Sequence, residues 1–390
     1  MSTLLLLIIY TAFIGLGLPD SLFGAAWSAI WPEFGTGLAS ASYVTVLVSG
    51  CTVISSLLSS RILARFSTVT VTAVSTAMTA AALLGYSLSP SLWCMCLFAI
   101  VLGLGAGAVD AALNDYISLH YSAMHMNFLH CFYGVGVVVS PYIMSAMLRT
   151  ASWREGYRTV FFIQSGIALL LFLSFPLWKK VQHAAAQAME ELPRRVLKFS
   201  EMAKIPSVRL GWAVCVATNA VEAVCGIWGS SFLVLVHGLD AAAAAGAILF
   251  YYLGLALGRF LSGLLSVKLS PWRIIAVCTG ILLCAVVLLF VPVPAVAIAG
   301  LFLAGLGNGP IYPNIMYLTP QHFGADVSAS VMGSQMAFAY GGFMAAPPLF
   351  GILAEHIGAQ LLPVYTLVWC MLLVVFTVLF RQKLQQKTAC

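Results

Sequence analysis

Four carboxylic acids in this chain stand where such groups are costly. Asp20, Asp110, Asp115 and Glu222 lie inside long apolar runs, while the other eight of the 12 Asp and Glu residues fall in connections or near the ends of such runs. An ionised carboxylate surrounded by hydrocarbon must face a cavity or a partner to persist. A buried acid of this kind can trade a proton with its surroundings, which makes it a natural proton carrier. Asp20, Asp110 and Glu222 are therefore the candidates for proton coupling. Asp115 lies nearer the end of its run and reads as a structural partner of a loop or helix end.

Other polar residues recur at spacings that would place them beside these acids. Asp20 follows Gly15, Gly17 and Pro19, which loosen a helix and remove one backbone donor. Asp20, Phe23, Gly24, Trp27 and Trp31 then share roughly one helical face. A carboxylate below aromatic rings suits a polar, ring-shaped solute, so Trp27 is a candidate contact, and Trp31 reads as part of the interfacial aromatic belt. Asp110 and Asn114 are four apart and stack. Asn127, His130 and Gly134 share a face in the next apolar run, which makes contact of His130 with Asp110 or with solute plausible. In the second half, Asn219 stands one turn before Glu222, Asn308, Tyr312 and Asn314 flank a Pro310/Pro313 kink, and Gln335 and Tyr340 follow. Asn219, Asn308, Tyr312 and Gln335 could bind solute from an opposite wall, or equally bridge helices to one another.

The elements that must position these residues follow from composition. Of 390 residues, 62% are hydrophobic and 8% charged, and the mean hydropathy is +1.01. Soluble domains carry about 25% charged residues, so soluble enzymes, disordered scaffolds and nucleic-acid binders are excluded. With about 20 apolar residues per bilayer crossing, the length holds roughly twelve spans. We place them at 4–31, 42–62, 68–88, 92–118, 125–148, 157–178, 208–236, 241–266, 272–291, 294–318, 327–353 and 360–380. Apolar runs in lipid must be helices, because every backbone polar group needs an internal partner. The polar stretch 179–207 separates six spans (1–178) from six (208–380), with a short surface helix expected around 181–192 and a tail at 381–390.

Charge sets the orientation. Arg61 and Arg65, seven basic residues between Lys179 and Arg209, Arg259, Lys268 and Arg273 near the eighth-to-ninth connection, and Arg381, Lys383 and Lys387 fall on one side, against Arg149, Arg154 and Arg158 on the other. The positive-inside rule then puts both termini, the linker and the tail in the cytoplasm. The N-terminal run reads as a retained first helix, since it lacks a basic leader region and continues into a longer span. The ten cysteines are scattered, and no grouping of metal-ligand type, P-loop, HExxH or GxSxG is present. No enzyme activity, cofactor or metal is expected, and transport would have to run on gradients.

The halves repeat weakly. Gly103-Leu-Gly-Ala-Gly107 recurs as Gly305-Leu-Gly-Asn-Gly309, Tyr133-Gly134 with Pro141 recurs as Tyr340-Gly341 with Pro348, and Arg61 has a counterpart in Arg259. Parallel six-span repeats in corresponding order are the make-up of the major facilitator fold. The expected fold class is thus an all-α polytopic membrane protein, with twelve transmembrane helices in two pseudo-symmetric six-helix bundles.

Three stretches carry a closer resemblance. Gly15–Trp31, GLGAGAVDAALNDY (103–116) and NFLHCFYGVG (127–136) resemble the fucose:proton symporter branch of that superfamily. The resemblance covers the first half well and the second only in general terms. It implies that acids of the first and fourth helices, here Asp20 and Asp110, are the protonatable and sugar-contacting groups. It further implies a monomer in a bacterial inner membrane, with protons and a small molecule, a sugar by this resemblance, as partners and no nucleic acid.

The expected function is proton-coupled symport of a small polar solute such as a monosaccharide, by alternating access. Two rivals remain at this level: a proton-driven exporter of apolar or cationic compounds, and a solute sensor that binds without flux. A lipid scramblase is a further variant, for which no headgroup site is marked.

Overall fold

The computed structural model describes residues 3–37, 40–186, 195–239 and 241–388, and among these no strand occurs. Among the described residues, twelve stretches are long and apolar enough to cross a bilayer. They are built from α1 (Thr3–Glu33), α2 (Ala41–Leu63), α3 (Thr68–Leu88), α4 (Leu92–His120), α5 (Ala123–Thr150), α6 (Trp153–Leu173), α9 (Pro206–Leu235), α10 (Ala241–Leu265), α11 (Pro271–Leu288), the pair α12 (Pro294–Asn308) and α13 (Ile311–Phe323), α14 (Ser328–His356) and α15 (Leu362–Thr388). Two shorter helices, α7 (Phe175–Ala186) and α8 (Phe199–Met202), lie between α6 and α9. Large apolar side chains such as Leu97, Trp93, Phe162 and Leu173 are exposed, as expected where hydrocarbon rather than water is the solvent.

Local chemistry moves two boundaries away from the apolar pattern. The sixth span starts at Trp153 instead of 157, because Ser152 caps it by accepting from the Glu155 amide. The same span stops at Ser174, whose hydroxyl turns back to the Leu171 carbonyl. The helix expected at 181–192 therefore begins earlier, as α7 from Phe175 to Ala186; the remainder, 187–192, lies outside the described residues. The tenth span is interrupted at Gly309–Pro310, where proline removes a backbone donor.

The chain forms two compact units. Unit 1 contains residues 1–116, 129–196 and 325–333, with α1 packed on α3 and α6. Its interior holds Phe13, Leu83, Tyr86 and Tyr157. Unit 2 contains residues 117–128, 197–324 and 334–390, with α9 packed on α15 and α10, and α12 on α10 and α11. Its interior holds Phe232, Tyr251, Phe350 and Phe380.

The glycine repeat has one structural meaning in both units. A methyl group on Gly103 or Gly107 would press on the Val48 or Thr52 carbonyl of α2, and one on Gly105 on the Ser75 carbonyl of α3. Likewise a methyl on Gly305 or Gly309 would press on the Tyr251 or Leu255 carbonyl of α10, and one on Gly307 on the Cys278 carbonyl of α11. The three glycines let one helix approach two neighbours at once, which is how small residues drive helix association in lipid.

Candidate functional site

In unit 1, α4 delivers Asp110 to a position only 7% exposed. Asn114, one turn on, donates from Nδ2 to Asp110 Oδ1 at 2.8 Å. The Asn114 Oδ1 in turn lies 3.0 Å from His130 Nε2 on α5. An amide oxygen only accepts, so in this arrangement His130 Nε2 is the donor. Phe13 of α1 stands edge-on to the His130 ring, with centroids 5.6 Å apart. An acid, an amide and an imidazole thus form one hydrogen-bonded line among apolar helices.

Asp20 sits apart from that line. It is exposed, and so is Gly24 one turn on, while the flanking positions of α1 from Leu16 to Pro19 are buried. The Tyr133 hydroxyl of α5 donates to Asp20 Oδ2 at 2.5 Å. Trp27 is buried and tilts against Phe23, centroids 5.2 Å apart, so it packs inside the unit. Asp115 accepts from the Ser328 hydroxyl at 2.6 Å, which gives it the structural partner expected of it.

Unit 2 carries its own acid. Glu222, near the middle of α9, faces Arg259 of α10, whose Nη2 lies 3.2 and 3.3 Å from the two carboxylate oxygens. Arg259 Nε donates to the Gly309 carbonyl at 3.2 Å, at the interruption between α12 and α13. This corrects the placement of Arg259 with the basic residues of a connection: it is buried inside α10. Its repeat counterpart Arg61 is exposed at the end of α2. Two opposite charges embedded in apolar runs were the available signal for a pair. Asp20 and Glu222 are separated by 222 − 20 = 202 residues, the same offset as Gly103 and Gly305 (305 − 103 = 202). Matching positions in the two repeats therefore hold an acid, one partnered by a phenol and the other by a guanidinium.

The other predicted site residues of unit 2 divide into those that bridge helices and those left partly open. Asn308 accepts from the Thr218 hydroxyl at 2.9 Å and donates to the Thr218 carbonyl at 3.0 Å, fastening α12 to α9. Gln335 is buried and accepts from the Thr319 hydroxyl at 2.8 Å. Asn127 is buried too, donating to the Ala123 carbonyl at 2.9 Å, with the Asn314 amide 3.4 Å from its Oδ1. Asn219 and Tyr312 are half-buried, and Asn219 donates to the Cys215 carbonyl at 2.9 Å. His130 and Asn127 lie on one helix, α5, as expected, His130 in the part that belongs to unit 1 and Asn127 in the part that belongs to unit 2.

Twelve apolar spans, some with acids embedded in them, define a multi-pass membrane protein. The sequence pattern of the Major Facilitator Superfamily matches residues 9–347, and the chain belongs to that family. A curated relative, the "Bypass of stop codon protein 6" of Saccharomyces cerevisiae, is 22% identical over 320 residues, covering 73% of this chain and 63% of that protein. The chain thus spans somewhat under two thirds of that relative's length.

Solved structures are similar in fold. The transporter FucP in its outward conformation superposes with a TM-score of 0.79 at 14% identity, covering 98% of this chain and 99% of that one. The proton:xylose symporter XylE gives 0.74 at 11% identity, over 97% and 94%. The human organic anion transporter MFSD10 gives 0.73 at 12% identity, over 96% and 98%.

Proposed function

We propose that this chain is a proton-coupled symporter for a small polar solute of monosaccharide size, working by alternating access with both termini in the cytoplasm. The observation that carries the reading is the line from Asp110 through Asn114 to His130, in which a nearly buried carboxylate is held by a neutral amide. A carboxylate embedded in an apolar span and joined by hydrogen bonds to an amide and an imidazole is a group through which a membrane carrier can take up and release a proton. Asp110 would take up the proton, with Asn114 and His130 offering hydrogen bonds to solute hydroxyls. Asp20, hydrogen-bonded to Tyr133, would be the second acid that links protonation to the change of state. Sugar:proton symport by a structural neighbour such as XylE fits this assignment.

The test is uptake into proteoliposomes under an imposed inward proton gradient, with a panel of monosaccharides. Asp110→Asn is expected to abolish accumulation against a gradient and to spare counterflow exchange. A variant that still concentrates solute would remove Asp110 from the coupling.

A further inference from the structure

The Glu222–Arg259 pair is unused by the scheme above, and its geometry is unusual for a structural ion pair. The Arg259 side chain is 9% exposed and that of Glu222 22%. Arginine normally meets a carboxylate fork to fork, through two nitrogens. Here a single nitrogen, Nη2, serves both oxygens of Glu222, and Nε is taken by Gly309. Nη1, with two N–H groups, makes no hydrogen bond among the described residues.

Polar and small residues stand beside the pair. On α9, Asn219, Glu222 and Gly226 follow one another on a half-buried face. The Tyr252 hydroxyl of α10 stands 2.9 Å from where a methyl group on Gly226 would lie. The other titratable neighbours of Glu222 are Tyr251 of α10, which donates to the Glu222 carbonyl, and Cys225 of α9, beside which stands Cys370 of α15. A charged pair in an apolar interior contributes little net stability compared with well-packed apolar residues. Within a membrane it marks a functional site.

We infer that Arg259 anchors a carboxylate of the transported solute, so that the cargo is an organic acid, such as a sugar acid, and that Glu222 is released as the anion binds. This inference rests on the reading of the chain as a proton-coupled carrier and names the class of its solute. Charge balance supplies the coupling. With the site empty, Glu222 and Arg259 cancel. Once a solute carboxylate occupies the guanidinium, an ionised Glu222 would be left without a counter-charge in a medium of low dielectric. One proton from solution onto a Glu222 oxygen restores neutrality, so one anion and one proton bind together without net charge. No covalent bond between heavy atoms is made or broken.

The test uses purified full-length protein in nanodiscs, with no gradient. Gluconate, glucuronate and acetate serve as probes, and glucose as the neutral control at matched ionic strength. The wild type is expected to bind at least one of the first two probes, read as a rise in melting temperature, and to take up one proton per anion in weakly buffered solution. In Glu222→Gln the guanidinium has lost its counter-charge, so carboxylates should bind at least about tenfold tighter with no proton uptake. The double variant Glu222→Gln/Arg259→Gln should respond to none of them. The inference is overturned if Glu222→Gln responds to carboxylates no more than the double variant does. It is equally overturned if the wild type binds gluconate or glucuronate without taking up protons, or binds neither, a measurement that needs no variant to fold. Anion-linked proton uptake in a protein that carries no flux in proteoliposomes would sink the carrier reading and leave the subsite standing.

Discussion

Gly136 of α5 lies directly against Gly17 of α1. A methyl group on Gly136 would come within 2.1 Å of the Ile14 carbonyl, and one on Gly17 within 2.2 Å of the Tyr133 carbonyl. This crossing brings the Tyr133 hydroxyl within reach of Asp20, one turn along α1. A small-residue contact between two helices therefore sets a hydrogen bond at a candidate proton-coupling acid.

Gly17→Ala and Gly136→Ala are each expected to force the two helices apart, because the obstructing atoms are backbone and cannot rotate away. The cost is that of overpacking, about 1–3 kcal/mol, read as a lower melting temperature in detergent. Gly24→Ala is the control, since nothing lies within 4 Å of its added methyl. Equal melting temperatures for all three would refute the crossing.

Asn114→Ala removes the amide that holds Asp110 and His130 in line. Losing a buried hydrogen-bond partner costs about 1–3 kcal/mol. Asn114→Asp should be worse, placing a second carboxylate one turn from the first. Thermal unfolding of the two variants beside the wild type ranks them, and a more stable Asn114→Asp would contradict the arrangement.

Thr218 and Asn308 fasten α9 to α12 through two reciprocal hydrogen bonds. Asn308→Ala should destabilise the protein by about 1–3 kcal/mol, while solute affinity in the folded fraction stays near the wild-type value. A variant with unchanged stability and lost binding would reassign Asn308 to the solute site.

Glu33, beyond the first span, gives a pH dependence with a definite sign. Desolvation pushes its carboxyl up, but hydrogen bonds from Trp153 and Arg154 and the Arg154 charge outweigh it, so the net shift is below the ordinary 4.5. A carboxyl lowered in the folded state contributes stability that is fully present above its unfolded value and is lost as pH falls through the folded one. The melting temperature of the wild type should therefore fall more steeply below about pH 4.5 than that of Glu33→Gln. Parallel curves for the two proteins would remove Glu33 from the acid response.

The spans, their number and the repeated GLGxG segments were legible in the sequence, because apolar length and glycine spacing are local properties. A bilayer admits only helices in such runs, so periodicity hardly had to be consulted. The embedded acids were legible for the same reason: a carboxylate amid hydrocarbon stands out in one dimension. Their partners did not. Which group faces Asp20 or Glu222 depends on helix rotation and crossing, which arise from packing between residues more than a hundred apart for Tyr133 and nearly forty apart for Arg259. Arg259 looked like a loop cation because six residues separate it from the helix end at Leu265, and only the fold turns it inward to Glu222. Asn308 and Gln335 stood out by residue type alone, and only the fold shows their partners, Thr218 of α9 and Thr319 of α13. Composition alone decided that this chain lives in a membrane as helices with acids inside. Only the tertiary structure decided which acid meets a phenol, which an amide and which a guanidinium, because those choices are made by contacts between helices and not within them.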